Sequence, residues 1–383
     1  MVLDSLLGTR VTLWLGPTVA VPAPASIVEA LTSIEVTQST EGRDGFQITF
    51  TIGRGGALGV VDYPLLANPL LRPFNRVLVQ VWLGILPEVI IDGFITNYQV
   101  TPSNQPGQSS LTITGEDMRV MMDLREVTQS YPMPLVARIY IILAKYAIYL
   151  GTPPIVIPSP IPDAPPPPVG FIPAQAGTDL AYLEEQAQRC AYVFYVEPTA
   201  VPMVNLAYWG PENRLSVPQS ALSVNLGAET NVESLNFQYN ALSPTTVIGT
   251  VTDENTGAMI PVFTFTSSRP PLAVLPAILV QQPNVRTVMA DIPEDSVVQA
   301  LIGAQAMTDR SRDAVTAEGQ LDVMRYGKIL KARRLVGVRG AGWLLDGLYY
   351  VKRVTHSIKK GEYKQSFSLV REGFGSISPV VIP

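Results

Sequence analysis

The sequence predicts a mainly β fold with α+β insertions, organised around two related β-units. Three observations carry that expectation. Residues 1–115 contain the period-two runs TRVTLWL, FQITFTI, NRVLVQVWL, FITNYQV and SLTITG, separated by Gly, Pro, Asn and Ser clusters, a barrel or sandwich signature. Strand-like runs return in ALSVNLG, ESLNFQY, TTVIGTV and PVFTFTS, and again after residue 316. Finally, IIDGFITNYQVT at residues 90–101 matches LLDGLYYVKRVT at residues 344–355. In both, two aliphatics precede Asp-Gly, and Val-Thr begins eight residues after the Asp.

The elements follow in order. Residues 1–115 form the first β-unit. Its GRGGALG stretch at Gly53–Gly59 lacks the Lys-Ser/Thr of a phosphate loop and is followed by VVDYPLL, so it reads as a hairpin loop. Residues 116–206 change period and form an α/β insertion. They open on GEDMRVMMDLRE, where Glu116, Asp117, Asp123 and Glu126 crowd together. Carboxylates at a helix start are favoured by its unpaired N–H groups, and Asp123 is within reach of Arg119 or Arg125. PLVARIYIILAKYAIYLG then reads as a helix stopped by Gly151. Residues 153–168 are a proline-rich extended spacer. A helix begins at Thr178 with Leu180, Leu183, Ala187 and Cys190 on one face, and AYVFYV supplies the next strand.

Residues 207–264 and 316–375 form the second β-unit, interrupted by a helical insertion at 265–315 and followed by a tail at 376–383. In the insertion, Asp291 and Glu294 have capping-box spacing, Pro293 suits a first helical turn, and Val297, Leu301, Ala304 and Met307 form the expected apolar stripe. Asp92-Gly93 and Asp346-Gly347 are expected to make corresponding turns, because Gly tolerates positive φ and Asp bonds the neighbouring backbone.

Composition narrows the function. Only 15% of the 383 residues are charged, which implies a surface covered by partners. Charge is uneven: residues 309–372 carry 14 Lys/Arg against seven Asp/Glu, whereas residues 1–308 carry 13 against 25. The basic run RYGKILKARR therefore offers Lys328, Lys331, Arg333 and Arg334 as electrostatic assembly contacts. It lacks the interleaved aromatics and fold motif of a specific nucleic-acid reader. One cysteine and one histidine cannot build a disulfide or a usual zinc site, and no cofactor or metal is expected. Cys190 reads as a buried thiol and His356 as an ordinary strand histidine. No apolar run is long enough to span a bilayer, and MVLDSLLGTR does not read as a signal peptide, so a protein without membrane insertion or leader is expected.

Taken in sequence, SSLTITGEDMRVMMDLREVTQSYP, the helix ending near AKYAIYLG, QAGTDLAYLEEQAQRCAYVFYV and the closing GLYYVKRVTHSIKKGEYKQSFSLVRE resemble the phage late control D family. These baseplate hub proteins of contractile tails are similar to the N-terminal part of VgrG spike proteins and to hubs of extracellular contractile injection systems. The resemblance implies two tail-tube-like β-barrels per chain and a homotrimeric ring with pseudo-sixfold symmetry. It further implies a non-enzymatic adaptor between a spike and a hexameric tail tube, assembled in the producing cell's cytoplasm among other baseplate proteins. Because the sequence stops after the last strand run, the spike is expected to be a separate chain. The rivals are a tail-associated cell-wall hydrolase carried by Glu116, Asp117 or Asp123, which has no aromatic-lined substrate motif beside it, and a self-assembling tube protein.

Overall fold

The computed structural model describes residues 3–4, 9–53, 63–84, 86–105, 107–159, 173–252, 257–281, 284–291 and 297–377. Most of the GRGGALG loop, the later part of the proline-rich spacer and the Pro293–Glu294 end of the capping box lie outside the described residues. The chain is mainly β, as expected. Its first unit contributes β1 (Thr9–Gly16), β2 (Leu31–Ser39), β3 (Gly45–Thr51), β4 (Arg76–Leu83), β5 (Leu86–Thr101) and β6 (Ser110–Asp117). The period-two patterns behave as they should: Ile34 and Val36 of β2, Ile48 of β3 and Ile113 of β6 all point into one core.

The α/β insertion follows. Helix α1 (Leu135–Ala144) is separated by a short break from the turn Ala147–Leu150, and Gly151 ends it at φ 73°. Thr178 caps α2 (Asp179–Arg189) by accepting from the Ala181 amide. Both helices pack with β7 (Val193–Pro198) and β8 (Asn205–Gly210) in a second core, where the Trp209 indole donates to the Leu183 carbonyl. Leu180, Leu183, Ala187 and Cys190 are buried there together.

The second unit consists of β9 (Gln219–Ser223), β10 (Ser234–Tyr239) and, after an insertion, β14 (Val315–Asp322), β15 (Leu335–Arg339), β16 (Gly347–Lys359) and β17 (Glu362–Arg371). The insertion contains β11 (Thr245–Thr252), β12 (Met259–Phe263), β13 (Arg286–Asp291) and α3 (Val297–Ser311). TTVIGTV and PVFTFTS therefore do not join the second unit's sheet. They pair with each other, TTVIGTV also pairs with β13, and α3 covers one face. The expected stripe on α3 holds in part: Ala304 is buried and Val297 packs against the small core, but Ala300 and Thr308 complete the inward face, while Leu301 and Met307 are exposed. Small side chains let the helix approach the sheet closely, with Thr308 and Thr264 sharing a hydroxyl hydrogen bond of 2.6 Å.

One large sheet joins the two units, in the order β1-β4-β5-β6-β3-β2-β16-β17-β14-β10, with β15 on β16 and β9 on β15. Each unit runs through its own six strands in the same order: second, third, sixth, fifth, fourth, first. All these pairings are antiparallel except β9 with β15. The likeness extends to backbone detail. Both fifth strands carry a bulge against the sixth, after Ile95 in β5 and after Val351 in β16. Just before the fourth strand, Phe74 and Arg333 both take positive φ, at 63° and 62°. The Phe74 amide donates to the Ile95 carbonyl and the Arg333 amide to the Val351 carbonyl, both at 2.8 Å. The amides of Ile95 and Val351 donate in return to Asn75 and Arg334.

These registers align Ile95 with Val351 and place Asp92-Gly93 two residues out of step with Asp346-Gly347. The expectation of two corresponding turns is overturned. Asp92-Gly93 lies inside β5, whereas Asp346 sits in the turn before β16. The glycines also serve different ends. A Cβ on Gly93 would lie 2.1 Å from the Glu116 carbonyl, so close strand approach excludes a side chain. Gly347 instead takes φ 124°, in the region that favours glycine.

Candidate assembly site

The carboxylates singled out by the sequence are parts of joints. Asp117 caps the short 3-10 helix Met118–Met122 by accepting from the Arg119 amide at 2.8 Å. It also accepts the Asp44 amide at 2.8 Å and the Arg119 guanidinium at 2.6 Å. Arg119, only 1% exposed, spans onward to the carbonyls of Phe194 and Gly42. Glu116 pairs with Arg43 at 2.9 Å, and Asp123 accepts from the Thr178 hydroxyl at 2.7 Å. Glu126 is exposed on the strand Glu126–Ser130. Three of the four carboxylates thus tie the first unit to the α/β insertion, Asp117 through Arg119 and Glu116 with Asp123 through Arg43, which reaches both at 2.9 and 3.3 Å.

Asp92 does the same from the other side of the insertion. It receives two hydrogen bonds of 2.7 Å from the buried Arg76 guanidinium and a third, 2.9 Å, from Asn205 of β8. Asp346 works locally, accepting the Ala341 amide at 2.8 Å, while its carbonyl takes a hydrogen bond from Arg371. Sequence reasoning missed Asp44, Arg76 and Asn205, whose partners lie far away along the chain. It also missed a third buried cluster in which Arg214 meets Glu212 and Asp313 at 2.9 and 2.6 Å.

The basic residues proposed as intermolecular contacts largely find partners within the chain. Arg333 is 2% exposed, bonded to Asp44 and stacked 4.5 Å from the Tyr195 ring centroid, which removes it as a partner contact. Lys331 pairs with Glu88 at 3.2 Å and Arg334 with Glu197 at 2.7 Å. Lys328 is exposed. The charge asymmetry has a cause in this arrangement: bases of the second unit meet acids of the first unit and of the α/β insertion. Lys352 with Glu41, at 2.6 Å, is a further example.

A polar cleft of about 400 Å³ opens beside Arg119, lined also by Glu184, Glu212, Arg269, Asp313 and Lys352. Its charges balance, and Arg269 pairs with Glu212 at 2.7 Å. Among the described residues there is no group of three or more His, Cys, Asp or Glu arranged to hold a metal. Cys190 is buried beside the Ser159 hydroxyl, and burial raises its thiol pKa, the opposite of an activated nucleophile. His356 is buried on β16 with Nδ1 2.8 Å from the Tyr363 hydroxyl.

No protein-family model matches the chain, and no curated protein does. Solved structures do match over nearly its whole length. A tail protein from Neisseria meningitidis aligns over 96% of this chain and 98% of its own, with TM-score 0.61 and 13% identity. The 43 kDa tail protein of prophage MuSo2 from Shewanella oneidensis gives TM-score 0.61 over 95% and 98%, also at 13% identity. The chain has a phage tail-protein fold. The same fold recurs in a chain of the Francisella PdpA-VgrG complex, which aligns over 98% of this chain and 60% of its own, with TM-score 0.58 and 9% identity. Identities this low establish the architecture alone.

Proposed function

We propose that this protein is a structural, non-enzymatic baseplate hub of a contractile tail or injection particle, a trimer that adapts a spike to a hexameric tail tube. The observation that carries the reading is the repeated six-strand unit, matched down to its bulge and its positive-φ residue. A trimer of such chains offers six like surfaces to a sixfold tube, whereas a trimer with one such unit per chain offers three. The tail-protein fold supports the same reading. In it, each unit completes a tube-like barrel in the assembly, and residues 116–206 together with the β11–β13 and α3 insertion stand away from the tube-facing surface. The sparse charge of the chain suits extensive burial among partners.

The carboxylates of the rival hydrolase are committed to capping and ion pairs, which supports a joint in preference to an acid-base pair. The test is the mass of the purified protein in solution, alone and with its spike. Three chains per particle are expected. A single chain under both conditions, at every concentration, removes the hub reading.

A further inference from the structure

Within the chain, β2 of the first unit is joined to β16 of the second, from Ser33 opposite Lys359 to Ser39 opposite Arg353. The counterpart of β2 in the second unit is β10, and the counterpart of β16 in the first unit is β5. Among the described residues, β10 pairs only with β14. Likewise β5 pairs with β4 only as far as Phe94, leaving one edge of Asn97–Thr101 without a strand. The two edges that the chain leaves open are therefore the counterparts of the two that it joins internally.

We propose that these edges join between copies, β10 of one chain adding to the Asn97–Thr101 segment of the next, in a register set by the internal seam. The correspondence can be followed rung by rung. Val36 stands opposite Phe46, then Gly115, then Ile95; Phe237 stands opposite Ala317, then Leu369, then Val351. Phe237 is thus the counterpart of Val36. At the internal seam Val36 faces His356, five residues beyond Val351. The residue five beyond Ile95 is Val100. In the joined copies Val100 faces Phe237, Gln99 faces Gln238 and Tyr98 faces Tyr239.

Burial agrees with this placement. At the internal seam Ile34, Val36, Val354 and His356 are all at most 2% exposed. Their counterparts at the open edges are Leu235 and Phe237, which are only half-buried, and Tyr98 and Val100, which are exposed and half-buried. Tyr98 and Tyr239 are 48% and 39% exposed, and the register sets them opposite one another. Unpaired exposed strand edges are templates for another strand. Because the two edges differ, copies add head to tail, and the ring closes only at a fixed number of chains. That number, three, rests on the function proposed above; the register does not.

Cysteine pairs test the register in a Cys190→Ser background. Gln99→Cys with Gln238→Cys and Tyr98→Cys with Tyr239→Cys are the two choices, since antiparallel neighbours alternate between closer and wider spacing. All four positions are exposed, so folding is expected to survive and is checked by thermal unfolding. Copper-catalysed oxidation should convert at least one pair to disulfide-linked dimers and trimers on non-reducing gels. Single variants and the slipped pair Gln99→Cys with Asn236→Cys should stay monomeric on the gel. Trimers in light scattering without cross-linking of either registered pair, or with equal linking of the slipped pair, would overturn the seam while leaving the hub reading intact. Monomers throughout would overturn both.

Discussion

Replacing Asp117 by alanine lowers the unfolding free energy by about 3–5 kcal/mol, because the change leaves the Arg119 guanidinium buried without its carboxylate. Asp117 is 2% exposed and Arg119 1%, so the pair is held out of water in the folded chain. The cost has three parts. The cap on Met118–Met122 disappears, the Asp44 amide loses its acceptor, and an uncompensated charge remains in the joint between β6 and β7. Asp117→Asn should recover part of the loss, since its amide oxygen can still accept. Equilibrium unfolding in urea measures both variants. A change below about 1 kcal/mol for Asp117→Ala, the range of a surface pair, would mean that the joint is solvated.

The second large effect is on pH dependence. Burial lowers the His356 pKa to about 3, and its Nε2 has no hydrogen-bond partner among the described residues. Tyr363 and Gln365 of β17 face its Nδ1, while Glu88, Glu197, Lys331 and Arg333 line the small cavity beside it. The folded chain keeps this imidazole neutral, whereas the unfolded chain protonates it near pH 6.5. Between those two values the unfolded state binds the extra proton. Stability from this group is therefore intact above about pH 6.5 and falls as the pH drops toward about 3, by at most about 1.4 kcal/mol per pH unit. Carboxylates titrate in the same window, so the comparison is with His356→Gln. The wild-type slope between pH 6 and pH 4 should be steeper than the variant's. Parallel slopes would place the ring in contact with solvent.

The position of His356 gives that effect a structural meaning. It sits on β16 opposite Val36 of β2, at the seam between the units. The stability lost as the pH falls is therefore lost from a group buried at the strand pair that makes one sheet of two halves.

What the sequence disclosed depended on the range of the interaction. Strand periodicity placed most of the six strands of the first unit, and local chemistry placed the Thr178 cap and the Gly151 stop. Joints between distant residues were illegible. Arg333 and Asp44 are brought together from opposite ends of the chain, and nothing near RYGKILKARR distinguishes the buried Arg333 from its neighbours. The basic run was therefore assigned to partners that the chain itself supplies.

The repeat is the most instructive case. The Asp-Gly match pointed to the right two strands but in the wrong register, because the match arose from side chains with unlike roles. What the units share is backbone geometry. Phe74 and Arg333 have nothing in common as side chains, yet hold the same φ and the same hydrogen bond. A better signal was the alternation of Ile34 and Val36 against Leu235 and Phe237, which side-chain identity obscures. The stripe on α3 holds at Val297 and Ala304 and misses at Leu301 and Met307 for a related reason: size does not mark the inward face where close packing against the sheet selects alanines.

The most direct measurement is a cryo-electron microscopy reconstruction of the assembled protein. The central claim predicts three chains around one axis, with the unit of β1–β6 and the unit of β9, β10 and β14–β17 alternating at six like positions, joined by the β2–β16 seam and by its intermolecular counterpart. The β11–β13 sheet and α3 should lie off the ring, where they leave the six positions alike. A reconstruction in which the two units stand in unlike environments, or in which the insertion occupies the tube-facing surface, would contradict the account.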